Sequence, residues 1–285
     1  MKIRQDAFLL PMEGGDRFGV WRAPIGTMPM RGVVLHAPPF AEEMNKARRM
    51  TAWAARSMAE QGFGVLHLDL YGCGDSCGDY GDASWDRWVD DLLQASAWLR
   101  QQGGGPLWLW GLRSGALLAN ALLPKLPAPA RLLLWQPVLS GRQQLTQFLR
   151  LALAGDMLGE TSNREGTREL RERLNRGESL EIAGYRLSPA LALGLDRASL
   201  SMTPGRVESV TWLEVTSTPA TLSPAAAGVI AALREQGVPV DGRTVTGPSF
   251  WQTVEIEDCP AIVDATLSAL TAENDREVSR DSVLL

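Results

Sequence analysis

Apolar runs of strand length alternate with amphipathic stretches along most of this chain. That alternation predicts an α/β class fold of βαβ units, with a mostly parallel sheet covered on both faces by helices. Residues 32–37 (GVVLHA), 64–70 (GVLHLDL), 106–110 (PLWLW) and 131–136 (RLLLWQ) read as buried strands. Between the first two, Ala47, Met50, Ala54 and Met58 fall on one helical stripe, and Gly62 supplies a stop. Ser84 is the expected N-cap of a helix reaching about Gln101. Residues 7–12 and 18–22, joined by Glu13-Gly14-Gly15-Asp16, read as an opening antiparallel hairpin. Strand 210–215 with a helix near 224–236, and strand 238–246 with a helix near 260–272, complete the sheet.

The alternation stops between residues 140 and 204. This stretch is helical in parts, charged from 163 to 178, and offers 182–187 as its strand candidate. It predicts an insertion over the C-terminal edge of the sheet. The expected division is a core of residues 1–139 and 205–273, a helical cap of 140–204, and a polar, frayed tail of 274–285.

Composition narrows the function classes. A chain of 285 residues with 45% hydrophobic and 21% charged residues can bury one substantial core. A net charge of -5 and the lack of a basic run argue against nucleic acid as the main partner. The first apolar segment is interrupted by Pro11 and is too short for an export signal or a membrane span. Cys73, Cys77 and Cys259 read as free thiols in a reducing cytoplasm. His67 with Cys73 and Cys77 does not have a strong zinc spacing, so neither a metal nor a cofactor is expected. The ten tryptophans are mostly core, as at Trp88 and Trp98 on one helix and at Trp108, Trp110 and Trp135 on strands.

The chemistry centres on residues 107–120, LWLWGLRSGALLAN, which read as strand, tight turn and helix. Gly111 and Gly115 stand two before and two after Arg113, the spacing that a strained strand-to-helix turn demands of its small residues. The other frame, with Ser114 at the apex, puts Leu112 at the crowded first position. With HAPPFAEEMNKARRM (residues 36–50), DLYGCGDSCGDYGDASW (69–85), EIAGY (181–185) and SFWQTVEIEDCPAIVDAT (249–266), this stretch resembles the exosortase A system-associated hydrolase 2 family. The resemblance covers nearly the whole chain. It implies an α/β-hydrolase fold with a cap, and a bacterial cytoplasmic protein encoded beside exosortase and exopolysaccharide genes. Its nominal activity would be hydrolysis of an ester-, thioester- or amide-like substrate; the alternative is a catalytically inactive pseudo-hydrolase that binds an anionic small molecule or a protein partner in a regulatory role.

That fold places a serine, a histidine and an acid at fixed stations, and here all three read as vacant. Arginine stays protonated and cannot be the nucleophile. The two histidines, His36 and His67, fall on early strands, and the loop after the last strand offers Ser249, Phe250 and Trp251 instead. Residues 216–220 contain no acid, and Glu214 lies within its strand. Acyl transfer by a Ser-His-Asp triad is therefore not expected.

Two alternatives remain open for Arg113. A guanidinium at a helix N-terminus opposes the macrodipole unless a carboxylate or an anion meets it. In one reading Arg113 pairs with Glu42 or Glu43 as a structural plug. In the other, Arg113 and the helix amides hold a carboxylate, phosphate or acyl carbonyl while Glu42 or Glu43 acts as general base on water. Phe40, Ser114, Gln136 and Trp251 are the expected pocket residues, and Gly111, Gly115 and Asp75 the structural ones. The expected partner is a small molecule, anionic or acyl; a homodimer is left open.

Overall fold

An antiparallel hairpin opens the chain, with β1 (Ile3–Leu10) paired to β2 (Arg17–Pro24). The structure is a computed structural model and describes residues 2–26, 29–156, 166–203 and 205–283. Residues 157–165 and 204 of the expected cap, and 284–285 of the expected tail, lie outside the described residues. After the hairpin come β3 (Gly32–Ala37), α1 (Glu42–Glu60), β4 (Phe63–Leu68), α2 (Trp85–Gln102), β5 (Leu107–Leu112), α3 (Gly115–Leu122) and β6 (Ala130–Trp135). Then follow α4 (Gly141–Asp156), α5 (Thr167–Asn175), β7 (Leu180–Ile182), β8 (Tyr185–Leu187) and α6 (Pro189–Arg197). β9 (Val207–Thr216), α7 (Pro224–Glu235), β10 (Val240–Thr246) and α8 (Pro260–Val283) close the chain.

One eight-stranded sheet has the order β1-β2-β4-β3-β5-β6-β9-β10. β1, β2 and β4 pair antiparallel, and every other neighbouring pair is parallel. The two-residue period of a strand divides the apolar side chains between two layers. Along β5, Leu109 packs with α2 and α3 through Leu92, Leu99, Leu117 and Leu118. Trp108 and Trp110 face the other way, against Met50, Ala54 and Met58 of α1 and Ile262 and Val263 of α8. Each fully buried Leu, Ile, Val or Met among them stabilises the fold by about 1.5–3 kcal/mol. Helix ends follow their local chemistry: Ser84 and Ser223 accept backbone N–H groups at the starts of α2 and α7.

A buried ion pair ties the hairpin to α2. Arg17 donates through Nε and Nη2 to the two carboxylate oxygens of Asp91, at 2.9 and 2.8 Å, and both side chains are shut off from solvent. Asp91 also accepts the backbone N–H of Tyr71, and Arg17 donates to Gly15 O and to Cys77 Sγ.

Two sequence expectations need correction. Residues 182–187 are not one strand: β7 and β8 form a hairpin, because Ala183 and Gly184 both take positive φ and reverse the chain. The last helix does not stop near Ala272 but runs to Val283, through a stretch that holds no glycine or proline. Asp75 secures its loop with its backbone N–H, donated to Asp69 Oδ2, while Ser76 Oγ supplies the side-chain bonds to Asp69 O and Phe18 N.

Candidate functional site

The C-terminal ends of β3, β5 and β6 meet at one place, and an unusual backbone marks each. Ala41, Arg113 and Gln136 hold φ of 51°, 54° and 42°, a left-handed conformation that non-glycine residues rarely adopt. Arg113 is the residue at the strand-to-helix turn that carries it; Ser114 is already in right-handed helical conformation. The flanking glycines explain why the turn closes. A Cβ on Gly111 would lie 2.6 Å from Ala116 N, and one on Gly115 would collide with the carbonyl oxygen of Ala37. Arg113 N–H donates to Trp135 O and its carbonyl accepts Val138 N–H, so the apex is held against the end of β6.

The two consecutive acids at the start of α1 part company. Glu43 Oε1 accepts Arg113 Nε at 3.1 Å, and its Oε2 accepts Gln144 Nε2 of α4 at 3.3 Å. Glu42 lies at the surface, 3.9 Å from Lys46. The Arg113–Glu43 pair is only 16% and 12% exposed, and the guanidinium carbon stands 5.6 Å from the centroid of the buried Trp251 ring. The pair is a single contact rather than a fork: among the described residues, Nη1 and Nη2 of Arg113 have no hydrogen-bond acceptor.

Beside this pair opens a cavity of ≈ 210 Å³, whose wall includes Arg113, Gln136, Val138, Gln143, Gln144, Gln147, Trp212, Glu214 and Ser223. Gln136 Oε1 accepts Val215 N–H at 2.7 Å, which leaves its amide N–H groups for the cavity. Glu214 accepts both the N–H and the hydroxyl of Ser223, at 2.8 and 2.9 Å. Of the residues expected to line a pocket, Gln136 does so here. Phe40 is buried in an aromatic cluster with Tyr80, Trp88 and Phe148, Ser114 is 2% exposed at the head of α3, and Trp251 backs Arg113. Sequence reasoning missed the carboxamides of α4; the signal was Gln143, Gln144 and Gln147 at helical spacing, in a helix that announces no motif.

His36 and His67 lie side by side on β3 and β4, with ring centroids 4.6 Å apart and both rings against Trp110. They line a separate cavity of ≈ 60 Å³ with Pro38, Pro39, Arg48 and Asp69. Neither Nε2 has a partner among the described residues. Burial, followed by the charge of Arg48, lowers the pKa of His36 to about 3. Burial also holds His67 well below the ordinary imidazole value, helped by His36, Arg22 and Arg48. Among the described residues no group of three or more His, Cys, Asp or Glu converges as a metal-ligand set.

Burial pushes the Glu43 carboxyl above its ordinary value, against the opposing pull of Arg113 and Gln144. The native state therefore holds that proton more tightly than the unfolded chain does. The resulting stability is present below pH 4.5 and is lost as the pH rises through the folded value. Measured by urea unfolding, the stability of the wild type relative to Glu43→Gln is expected to fall from pH 4.5 towards neutrality. A flat or rising difference would show that Arg113, not burial, governs this carboxyl.

A mostly parallel sheet, a glycine-flanked turn after β5 and a helical excursion between β6 and β9 define an α/β-hydrolase by fold. Residues 28–169 match the serine aminopeptidase, S33, family. Among solved structures, the chain is similar to Est1E from Butyrivibrio proteoclasticus, with 14% identity, coverage of 96% of this chain and 99% of that one, and a TM-score of 0.60. A thermostable carboxyl esterase from Bacillus coagulans has 14% identity, coverage of 98% and 99%, and a TM-score of 0.60. A proline iminopeptidase-related protein from Thermus thermophilus has 20% identity, coverage of 94% and 98%, and a TM-score of 0.58. At these identities the likeness is one of fold. No curated protein matches the chain. Among the described residues no helix is long and apolar enough to cross a membrane.

Proposed function

We propose that this protein keeps the ligand cavity of an α/β-hydrolase but has given up acyl-serine chemistry, and that it works by holding a small polar molecule beside the Arg113–Glu43 pair. The observation that carries this reading is the side chain at the apex: the residue with the strained φ is an arginine, and its Nε is bound to Glu43. A guanidinium there can orient a ligand but cannot attack one. Ser114, next to it, has no hydrogen bond to either histidine among the described residues. The test is labelling with a serine-directed fluorophosphonate, read by mass spectrometry, alongside turnover of a short-chain aryl ester. No label on Ser114 is expected, and any ester turnover is expected to survive Ser114→Ala. Labelled Ser114, or turnover abolished by that substitution, would overturn the reading.

A second reading is favoured by the state of Glu43. A carboxyl that is buried and raised in pKa, next to free guanidinium N–H groups, suits a general base acting on water. Hydrolysis of an ester, thioester or amide would then proceed without a covalent intermediate. The same fluorophosphonate experiment separates the two: ester turnover that persists without labelling and is lost in Glu43→Gln supports the base. The setting proposed for either activity, a bacterial exosortase and exopolysaccharide system, is supported by the motif resemblance of residues 36–50, 69–85 and 249–266.

A further inference from the structure

The cavity beside Arg113 has a chemistry of its own. Resting on the reading that this cavity is where the ligand sits, we propose that it takes a small neutral polyol, a single sugar ring or a compound with similarly close hydroxyl groups. Charge is the first ground. Arg113 is matched by Glu43, and Glu214, held by Ser223, adds a further carboxylate to the wall. The cavity therefore has no unmatched positive side chain with which to draw an anion.

Unfilled hydrogen-bonding capacity is the second ground, and it points both ways at once. Gln144 donates its amide to Glu43, which fixes the orientation of the carboxamide and leaves Oε1 as a buried acceptor with no donor among the described residues. Trp212, on the same wall, has a buried Nε1–H with no acceptor among the described residues. Gln136 and the Nη atoms of Arg113 add further donors. A hydroxyl group both donates and accepts through one oxygen, so adjacent hydroxyls answer this mixture, where a carboxylate or phosphate could satisfy only the donors.

Size is the third ground. A cavity of ≈ 210 Å³ suits one sugar ring and not an oligosaccharide. The exposed Gln143 and Gln147, one helical turn apart on α4, place two more carboxamides on the wall.

Saturation-transfer NMR on the full chain tests the proposal, with D-glucose, D-galactose, N-acetylglucosamine and myo-inositol as neutral probes, and D-glucuronate and inorganic phosphate as anionic ones. At least one neutral probe is expected to give a saturable signal, with affinity reduced about five-fold by loss of one hydrogen bond in Gln144→Leu or in the solvent-facing Gln147→Leu. D-glucuronate is expected to bind more weakly than D-glucose. Preference for glucuronate or phosphate, binding indifferent to both substitutions, or no binding of any neutral probe would overturn it. Fluorophosphonate labelling of Ser114 overturns the parent reading whatever the sugars do, whereas an unlabelled protein that ignores the neutral probes overturns this inference alone.

Discussion

Acidification below pH 6.5 is expected to destabilise this protein steeply, through two histidines that the fold holds neutral. His36, with a folded pKa of about 3, and His67, also well below 6.5, take up protons readily only when the chain unfolds. Their pKa values are depressed, so their contribution is intact above pH 6.5 and is lost as the pH falls towards the folded values. Each histidine adds to the slope of stability against pH in the same sense, approaching one proton's worth once the pH is well below 6.5. For His36 the interval runs from 6.5 down to about 3, so the loss continues across the whole acid range in which the native chain stays folded. The local cause is visible in the bonding. Arg22 has only donors to offer and stands 3.3 Å from His67 Nδ1, so that nitrogen must stay unprotonated. Urea unfolding from neutrality down to pH 4.5 measures the slope, and His36→Phe is expected to remove about half of it. The raised carboxyls of Glu43 and Asp69 act in the opposite sense. A stability that does not fall in this range would contradict the account.

The second large effect is expected at Asp91. Replacement by alanine leaves the Arg17 guanidinium buried with neither carboxylate oxygen and also removes the acceptor of Tyr71 N–H. Breaking a buried pair in this way costs about 3–5 kcal/mol, which thermal unfolding would register as a fall in Tm of roughly 10 °C at ~2–4 °C per kcal/mol. The double variant Arg17→Met with Asp91→Leu is expected to recover most of the loss, since it removes the stranded charge as well as its partner. If Asp91→Ala alone is neutral, the fork is not what fastens the hairpin to α2.

The sheet was legible in the sequence because its central strands are short, continuous apolar runs and its crossover helices keep an apolar stripe. The strained turn was legible for a different reason: Gly111 and Gly115 are required by close backbone contacts, whatever side chain stands between them. What could not be read was pairing across the chain. Arg17 and Asp91 lie 74 positions apart, and neither belongs to a motif. Glu42 and Glu43 are identical in sequence terms, and only the first turn of α1 decides that one meets Arg113 while the other meets solvent. The carboxamides of α4 escaped because glutamine at helical spacing reads as an ordinary polar face. The β7–β8 hairpin escaped because three-residue strands are too short for alternation to show.

The backbone around the cavity sets a limit on how this protein could be toughened. Ala41, Arg113 and Gln136 each hold a left-handed conformation, at roughly 1–2 kcal/mol apiece for an L-residue. Three glycines would relieve much of that, although their greater freedom in the unfolded chain returns part of it. Yet two of the three residues supply polar groups to the cavity wall, and the third starts the helix that presents Glu43. An engineer selecting variants for heat resistance would thus be drawn to the positions where the cavity is most sharply shaped, and each degree gained there would loosen the wall that meets the ligand.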